Sequence, residues 1–137
     1  MKQVVCAMIF RHGKLLVARQ GEYSNRPGKW EFPGGKVQPG ESPPQALVRE
    51  IREELNVAVR VDAPLEAVVS RSPGHEITLM PFLCQIVSGE PELREHAEIR
   101  WISLGEVMGL DMLPADYEVM KVRENLRRLS EYAGEKA

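Results

Sequence analysis

The chain has only two cysteines, Cys6 and Cys84, each set among apolar residues. Two cysteines make no disulfide framework, so two buried, reduced thiols are expected. A large excess of charge of one sign is also lacking. A net charge of −2 gives no electrostatic footprint for duplex DNA or RNA, which argues against a nucleic acid polymer as partner. No apolar run approaches the roughly 18 residues of a membrane span, so no membrane partner is expected. The N-terminus lacks a basic region followed by a long apolar run, so no signal peptide is read there and a cytoplasmic protein is the default. No internal repeat, low-complexity segment or linker interrupts the chain, and 1–137 reads as a single domain.

What is present is ordinary for a globular protein: 43% hydrophobic and 28% charged residues, enough for one core. Gln3 to Phe10 is a nearly continuous apolar run and reads as a strand buried on both faces. Arg11 to Lys14 turns, and Leu15 to Arg19 returns as a second strand. Val57 to Ser70 has strand character, interrupted at Pro64, where a bulge, break or edge is expected. A turn at Arg71 to Gly74 leads into a strand over Glu76 to Val87, making a hairpin. Glu98 to Ile102 is a short strand. Ser103 and Glu106 have capping-box spacing for a helical turn. A last helix is expected from Tyr117 to Tyr132, with Asp116 as its N-cap.

The most informative stretch is Trp30 to Val57. Its second half reads as a helix. Ser42 is a good N-cap, Pro43 suits the first helical position, and Gln45 completes a Ser-x-x-Gln capping box. Leu47, Ile51 and Leu55 form an apolar stripe, and Asn56 can close the helix in a left-handed conformation. Glu50, Glu53 and Glu54 fall on one face of its last turns, where the helix dipole is negative. Arg49 and Arg52 offset part of that repulsion. A solvated acidic face would satisfy the spacing alone; a hard divalent cation would offset it more fully. Before the helix, Pro33-Gly34-Gly35 permits close backbone approach to a ligand or metal.

Residues 35–57 match the pattern G-x5-E-x7-R-E-U-x-E-E-x-G-U, with U aliphatic: Gly35, Glu41, Arg49, Glu50, Ile51, Glu53, Glu54 and Val57. The one departure is Asn56 where the pattern has glycine, and asparagine is the next-best left-handed cap. The segment resembles the Nudix box. The flanking E-F-P-G-G-K and P-Q-A-L-V-R-E further resemble the MutT-like branch of nucleoside triphosphate pyrophosphohydrolases.

That resemblance implies an α/β/α sandwich with a mixed β-sheet, agreeing with the order of strands and helices. It implies a Mg²⁺ cofactor, with Mn²⁺ as a substitute, held by Glu50 and Glu54 with Glu53, Glu95 and the Gly34 carbonyl. Glu98 is the alternative to Glu95, since the register is counted back from Trp101. Arg49 would orient the box glutamates, and Glu50 or Glu53 would be the general base. Arg19, Phe32, Lys36, His75 and Asp116 are candidate contacts to a small-molecule nucleotide. Each has a plainer reading: surface charge for Arg19 and Lys36, core for Phe32, turn residue for His75, helix cap for Asp116.

Polyphosphate chemistry fits these residues. Water attack on phosphorus needs charge neutralised on the non-bridging oxygens and a positioned, deprotonated water. No arginine cluster stands beside the acids to supply that charge. The resemblance implies substitution at the β-phosphorus, giving a nucleoside monophosphate and pyrophosphate. Asp116 suits cytosine as an acceptor, or oxidised guanine as a protonated donor. Dinucleoside polyphosphates and nucleotide sugars are alternative substrates, and a non-catalytic nucleotide-sensing module is the alternative of another class. A monomer or small homo-oligomer is expected.

Overall fold

The computed structural model describes residues 1–73 and 75–137, with the side chains of Ser72 and His75 outside the described set. The apolar run forms β1 (Lys2–Arg11), at the centre of the fold. Its alternation assigns Val5, Ala7 and Ile9 to one core and Cys6, Met8 and Phe10 to another. All six are buried, as a strand covered on both faces requires.

The strands that follow are β2 (Lys14–Gln20), β3 (Trp30–Glu31), β4 (Gly34–Lys36), β5 (Ala58–Pro64), β6 (Val68–Ser72), β7 (His75–Ser88) and β8 (His96–Ile102). β1 pairs in parallel with β7 and antiparallel with β4, so the sheet is mixed. β5 and β6 lie along the other edge of β7, both antiparallel. Pro64 ends β5, as a residue without an N–H to donate should. The expected turn at Arg71 to Gly74 is shorter than read: Arg71 and Ser72 pair with Glu76 and His75 inside the hairpin, and Gly74 lies outside the described residues. β2 continues from β1 through His12 and Gly13, both at positive φ (52° and 76°), and carries β3 and β8. Positive φ at both central residues is what a two-residue hairpin turn of matching twist needs.

Helix α1 (Pro43–Leu55) covers one face. Its capping box is formed: Gln45 N–H donates to Ser42 Oγ at 3.3 Å, and Ser42 N–H to Gln45 Oε1 at 2.9 Å. Asn56 closes it at φ 55°, ψ 39°, with its N–H on the Arg52 carbonyl. Leu47, Ile51 and Leu55 are fully buried against Val5, Ala7 and Ile9.

The other face is covered by α2 (Pro114–Lys121) and α3 (Arg123–Glu135), where the sequence suggests one helix from Tyr117 to Tyr132. Val122 is extended (φ −75°, ψ 115°) and breaks it. Asn125 explains the break. Its side chain is fully buried; Nδ2 donates to the Val119 and Glu66 carbonyls, and Oδ1 accepts the Glu66 N–H. One side chain thus takes up a helix-end carbonyl and a distant loop together. Asp116 is not the N-cap either. Leu113 precedes the first helical residue, Pro114, and Asp116 sits inside the first turn. Ser103 and Glu106 do form their reciprocal contact, with Ser103 N–H donating to Glu106 Oε1 at 3.1 Å, opening a 3-10 turn over Leu104–Gly109.

Candidate active site

Arg49 ties the glycine loop to the helix. Its Nε donates to Glu41 Oε2 at 2.6 Å and its Nη2 to Glu41 Oε1 at 2.9 Å, a fork-to-fork pair. Nη2 also reaches the Lys36 carbonyl at 3.1 Å. Nη1 holds Glu50 at 2.9 Å and Glu53 at 3.3 Å. One guanidinium therefore spends its donors on two carboxylates of its own helix, one of the preceding turn and one backbone group of β4. Glu41 is held at a pKa of about 2, first by its hydrogen bond from Arg49.

Close packing requires Gly34, and at Gly35 it leaves room for a site carboxylate. A Cβ on Gly34 would collide with the Val5 carbonyl of β1, and a Cβ on Gly35 with the Glu50 carboxylate. The close approach is thus to a neighbouring strand and to a site carboxylate. With no Cβ in the way, Glu50 lies directly over the loop.

Beyond the loop opens a cleft of about 750 Å³, whose acids are Glu31, Glu50, Glu54 and Glu95, with Gly34, Gly35 and Lys36 on its wall. Glu54 is only 6% exposed. Burial pushes its carboxyl up to about 9, aided by the charges of Glu31, Glu50 and Glu95; the Gly34 N–H, 3.2 Å from Oε2, pulls the other way. Glu50 is also raised, by burial against the opposing effect of Arg49. Among the described residues, no three His, Cys, Asp or Glu side chains converge tightly enough to form a closed metal cluster. Arg49 accounts for part of this, since it draws Glu50 and Glu53 to itself. The donor chemistry still fits a hard divalent cation: several carboxylates on one cleft, no thiol, and a buried acid whose charged form lacks compensation.

A second chamber of about 650 Å³ adjoins the first, sharing Gln20, Ser24, Asn25 and Lys36 with it. Ile77, Leu113, Pro114 and Ala115 make it largely apolar, and Arg26 and Tyr23 stand at its wall.

The sequence-derived positions divide accordingly. Gly34, Lys36, Glu50, Glu54 and Glu95 line the acidic cleft. Glu53 does not line it; its side chain is 53% exposed and pairs with Arg49. Glu98, the alternative to Glu95, pairs instead with Arg19 at 3.2 Å and Arg100 at 2.9 Å. Arg19 lines neither chamber, for the same reason. Phe32 is a core residue, 2% exposed, and its backbone N–H donates to Asp116 Oδ2 at 3.0 Å. Asp116 is buried, next in sequence to Ala115 of the apolar chamber, and burial raises its pKa well above its ordinary value, with Glu31 adding to the rise. The side chain of His75 is outside the described set.

Two cleft residues beside Glu31, Gln20 and His96, carry no motif signal. Glu31 Oε1 accepts from Gln20 Nε2 at 3.2 Å, and Glu31 Oε2 faces His96 Nε2 at 2.9 Å. Only the W-E-F-P-G-G string beside the box could have flagged Glu31; nothing in the acid-rich segment marks His96.

The NUDIX domain family model matches residues 1–122. The chain is 37% identical over 127 residues to the CTP pyrophosphohydrolase of Escherichia coli K12, covering 93% of this chain and 94% of that protein. It is 32% identical over 109 residues to the 8-oxo-dGTP diphosphatase of the same strain, covering 80% and 84%. Among solved structures, the E. coli ORF135 protein superposes with a TM-score of 0.79 at 36% identity, covering 93% of this chain and 91% of that one. The MutT protein of Methanosarcina mazei gives 0.78 at 29%, covering 96% and 94%. The chain therefore belongs to the Nudix family, with the fold of the MutT-like Nudix hydrolases.

Proposed function

We propose that this protein is a Mg²⁺-dependent nucleoside triphosphate pyrophosphohydrolase that releases a nucleoside monophosphate and pyrophosphate. The observation carrying this reading is the pair of joined chambers. One is acidic and lined by box glutamates; the other is largely apolar and sized for a nucleoside; Lys36 stands where they meet. A triphosphate laid across them has its anhydride bonds among the carboxylates and its base in the apolar chamber.

Glu54, Glu50 and Glu95, with the backbone at Gly34, would hold the metal in this reading, with Glu53 as a further candidate ligand at the exposed end of the helix. Bound Mg²⁺ supplies neutralisation of phosphate oxygens and acidification of water. Mn²⁺ would substitute. Arg49 fixes Glu50 against the glycine loop, and Glu50, a partly buried carboxylate on the cleft wall, accepts the proton of the attacking water. A new P–O bond forms at the β-phosphorus as the bond to the α–β bridging oxygen breaks. The nucleoside monophosphate leaves with that oxygen. Lys36, a mobile point charge, meets the phosphates from the cleft wall.

A cytidine-type base is favoured by the relative that covers almost the whole chain. Oxidised dGTP is the second reading, favoured by the burial that shifts Asp116 toward its protonated, donating form. We place the enzyme in the cytoplasm, as one domain acting as a monomer or small homo-oligomer. Pyrophosphate release with Mg²⁺ across CTP, dCTP, 8-oxo-dGTP, dGTP, ADP-ribose and a dinucleoside polyphosphate tests the reading. Turnover concentrated on CTP or 8-oxo-dGTP is expected. Turnover confined to the last two compounds, or silence on all of them, would overturn it.

A further inference from the structure

Strands β2 and β8 are out of step at one point. Arg19 pairs with Glu98, but Gln20 pairs with His96, so Ala97 is an extra residue on β8. This bulge decides where His96 points. Glu98 and Arg100 lie on the Trp30 side of the sheet: Glu98 binds Arg19, and Arg100 stacks 4.7 Å over the Trp30 ring. In an unbroken strand, alternation would send His96 to that same side. The extra residue turns it to the opposite side, where Gln20 and Glu31 face the acidic cleft. There its side chain is 5% exposed, with Nε2 on Glu31 Oε2 at 2.9 Å. Its Nδ1 is buried with no partner among the described residues. A buried polar ring with one nitrogen left unsatisfied costs stability, so the single bond to Glu31 has to hold it in place.

Glu95 is the next residue toward the N-terminus, outside the strand, exposed, and on the cleft wall. We propose that His96 is a positioning residue: the bulge and the His96–Glu31 bond pin the entry to β8 so that Glu95 is presented to the metal-binding carboxylates. This rests on the assignment of the cleft as a divalent-cation site. Glu31 is fixed from its other oxygen by Gln20 Nε2, so the anchor has a support of its own on β2. Outer-shell partners of this kind orient a ligand that would otherwise be mobile.

The test is direct titration with Mn²⁺, read by its electron paramagnetic resonance signal, so it does not depend on turnover. His96→Phe keeps the ring volume and removes the donor; it should weaken Mn²⁺ binding about 10-fold. His96→Gln, whose amide can donate to Glu31, should recover most of the loss. Combining His96→Phe with Glu95→Gln should be no worse than Glu95→Gln alone, because the histidine acts through that glutamate. Wild-type affinity in a folded His96→Phe protein, or losses that multiply in the double variant, would overturn the proposal. If His96→Phe does not fold, Glu31→Met removes the acceptor instead, and its non-additivity with Glu95→Gln decides the same question. Silence on every nucleotide with this Mn²⁺ pattern intact would defeat the proposed reaction and leave the positioning role standing.

Discussion

Arg49 holds Glu41 through two nearly parallel hydrogen bonds, of 2.6 and 2.9 Å, across the turn that separates β4 from α1. A lysine cannot reproduce that fork, nor reach Lys36 and Glu50 at the same time. Arg49→Lys should therefore keep the charge and the fold, as judged by circular dichroism, yet lower kcat by about 10-fold or more. An unchanged kcat would show that the guanidinium fork does not orient Glu50.

Glu54 is the buried acid of the cleft, and in the metal-free protein its charged form is poorly compensated. Glu54→Gln keeps the shape and leaves no charge to bury. Without metal near pH 7.5 it should be more stable to denaturant than wild type, by on the order of 2–3 kcal/mol. Added Mg²⁺ should stabilise wild type and leave the variant nearly unmoved. Lower stability of the metal-free variant would contradict the electrostatic account of the cleft.

The same group couples metal to pH. Its folded pKa is raised from 4.5 to about 9, so the metal-free fold gains stability from it in full below about pH 4.5 and loses that gain as pH rises toward 9. Metal binding needs the carboxylate and releases the proton. The rise in Tm produced by saturating Mg²⁺ should accordingly grow from about pH 6 to about pH 8.5. A rise that is flat or shrinks over that range would count against Glu54 as a ligand.

Asp116 accepts the Phe32 N–H inside the core. Asp116→Asn keeps an acceptor there and removes a buried acid, so it should fold at least as stably as wild type near neutral pH. Asp116→Ala strands the Phe32 N–H and should cost about 1–3 kcal/mol. If Asp116 also reads the base, Asp116→Asn should change the ratio of CTP to 8-oxo-dGTP turnover; an unchanged ratio would confine it to structure.

How far the sequence carried depends on the distance over which each feature is encoded. α1, its capping box and its Asn56 closure are written in adjacent residues, and they form as read. β1 is legible because a run buried on both faces needs no partner to be recognised. The break at Val122 is not legible, because it follows from Asn125 meeting Glu66, 59 residues away. Asp116 has a good cap's composition, yet its partner is Phe32, 84 residues earlier. Glu31 and His96 are 65 residues apart and meet only because of a one-residue bulge. Glu53 and Glu54 follow Glu50 at i+3 and i+4, but that spacing does not tell which of them the sheet buries.

The central claim is that the carboxylates of this cleft drive hydrolysis of a nucleoside triphosphate. The most direct test is pyrophosphate release from CTP and 8-oxo-dGTP, with Mg²⁺, by wild type and Glu54→Gln side by side. Wild type should form nucleoside monophosphate and pyrophosphate in equal amounts from at least one of them, and the folded variant should be slower by about 10²-fold or more. Equal rates in the two proteins, or no release by a folded wild type loaded with Mg²⁺, would contradict the account.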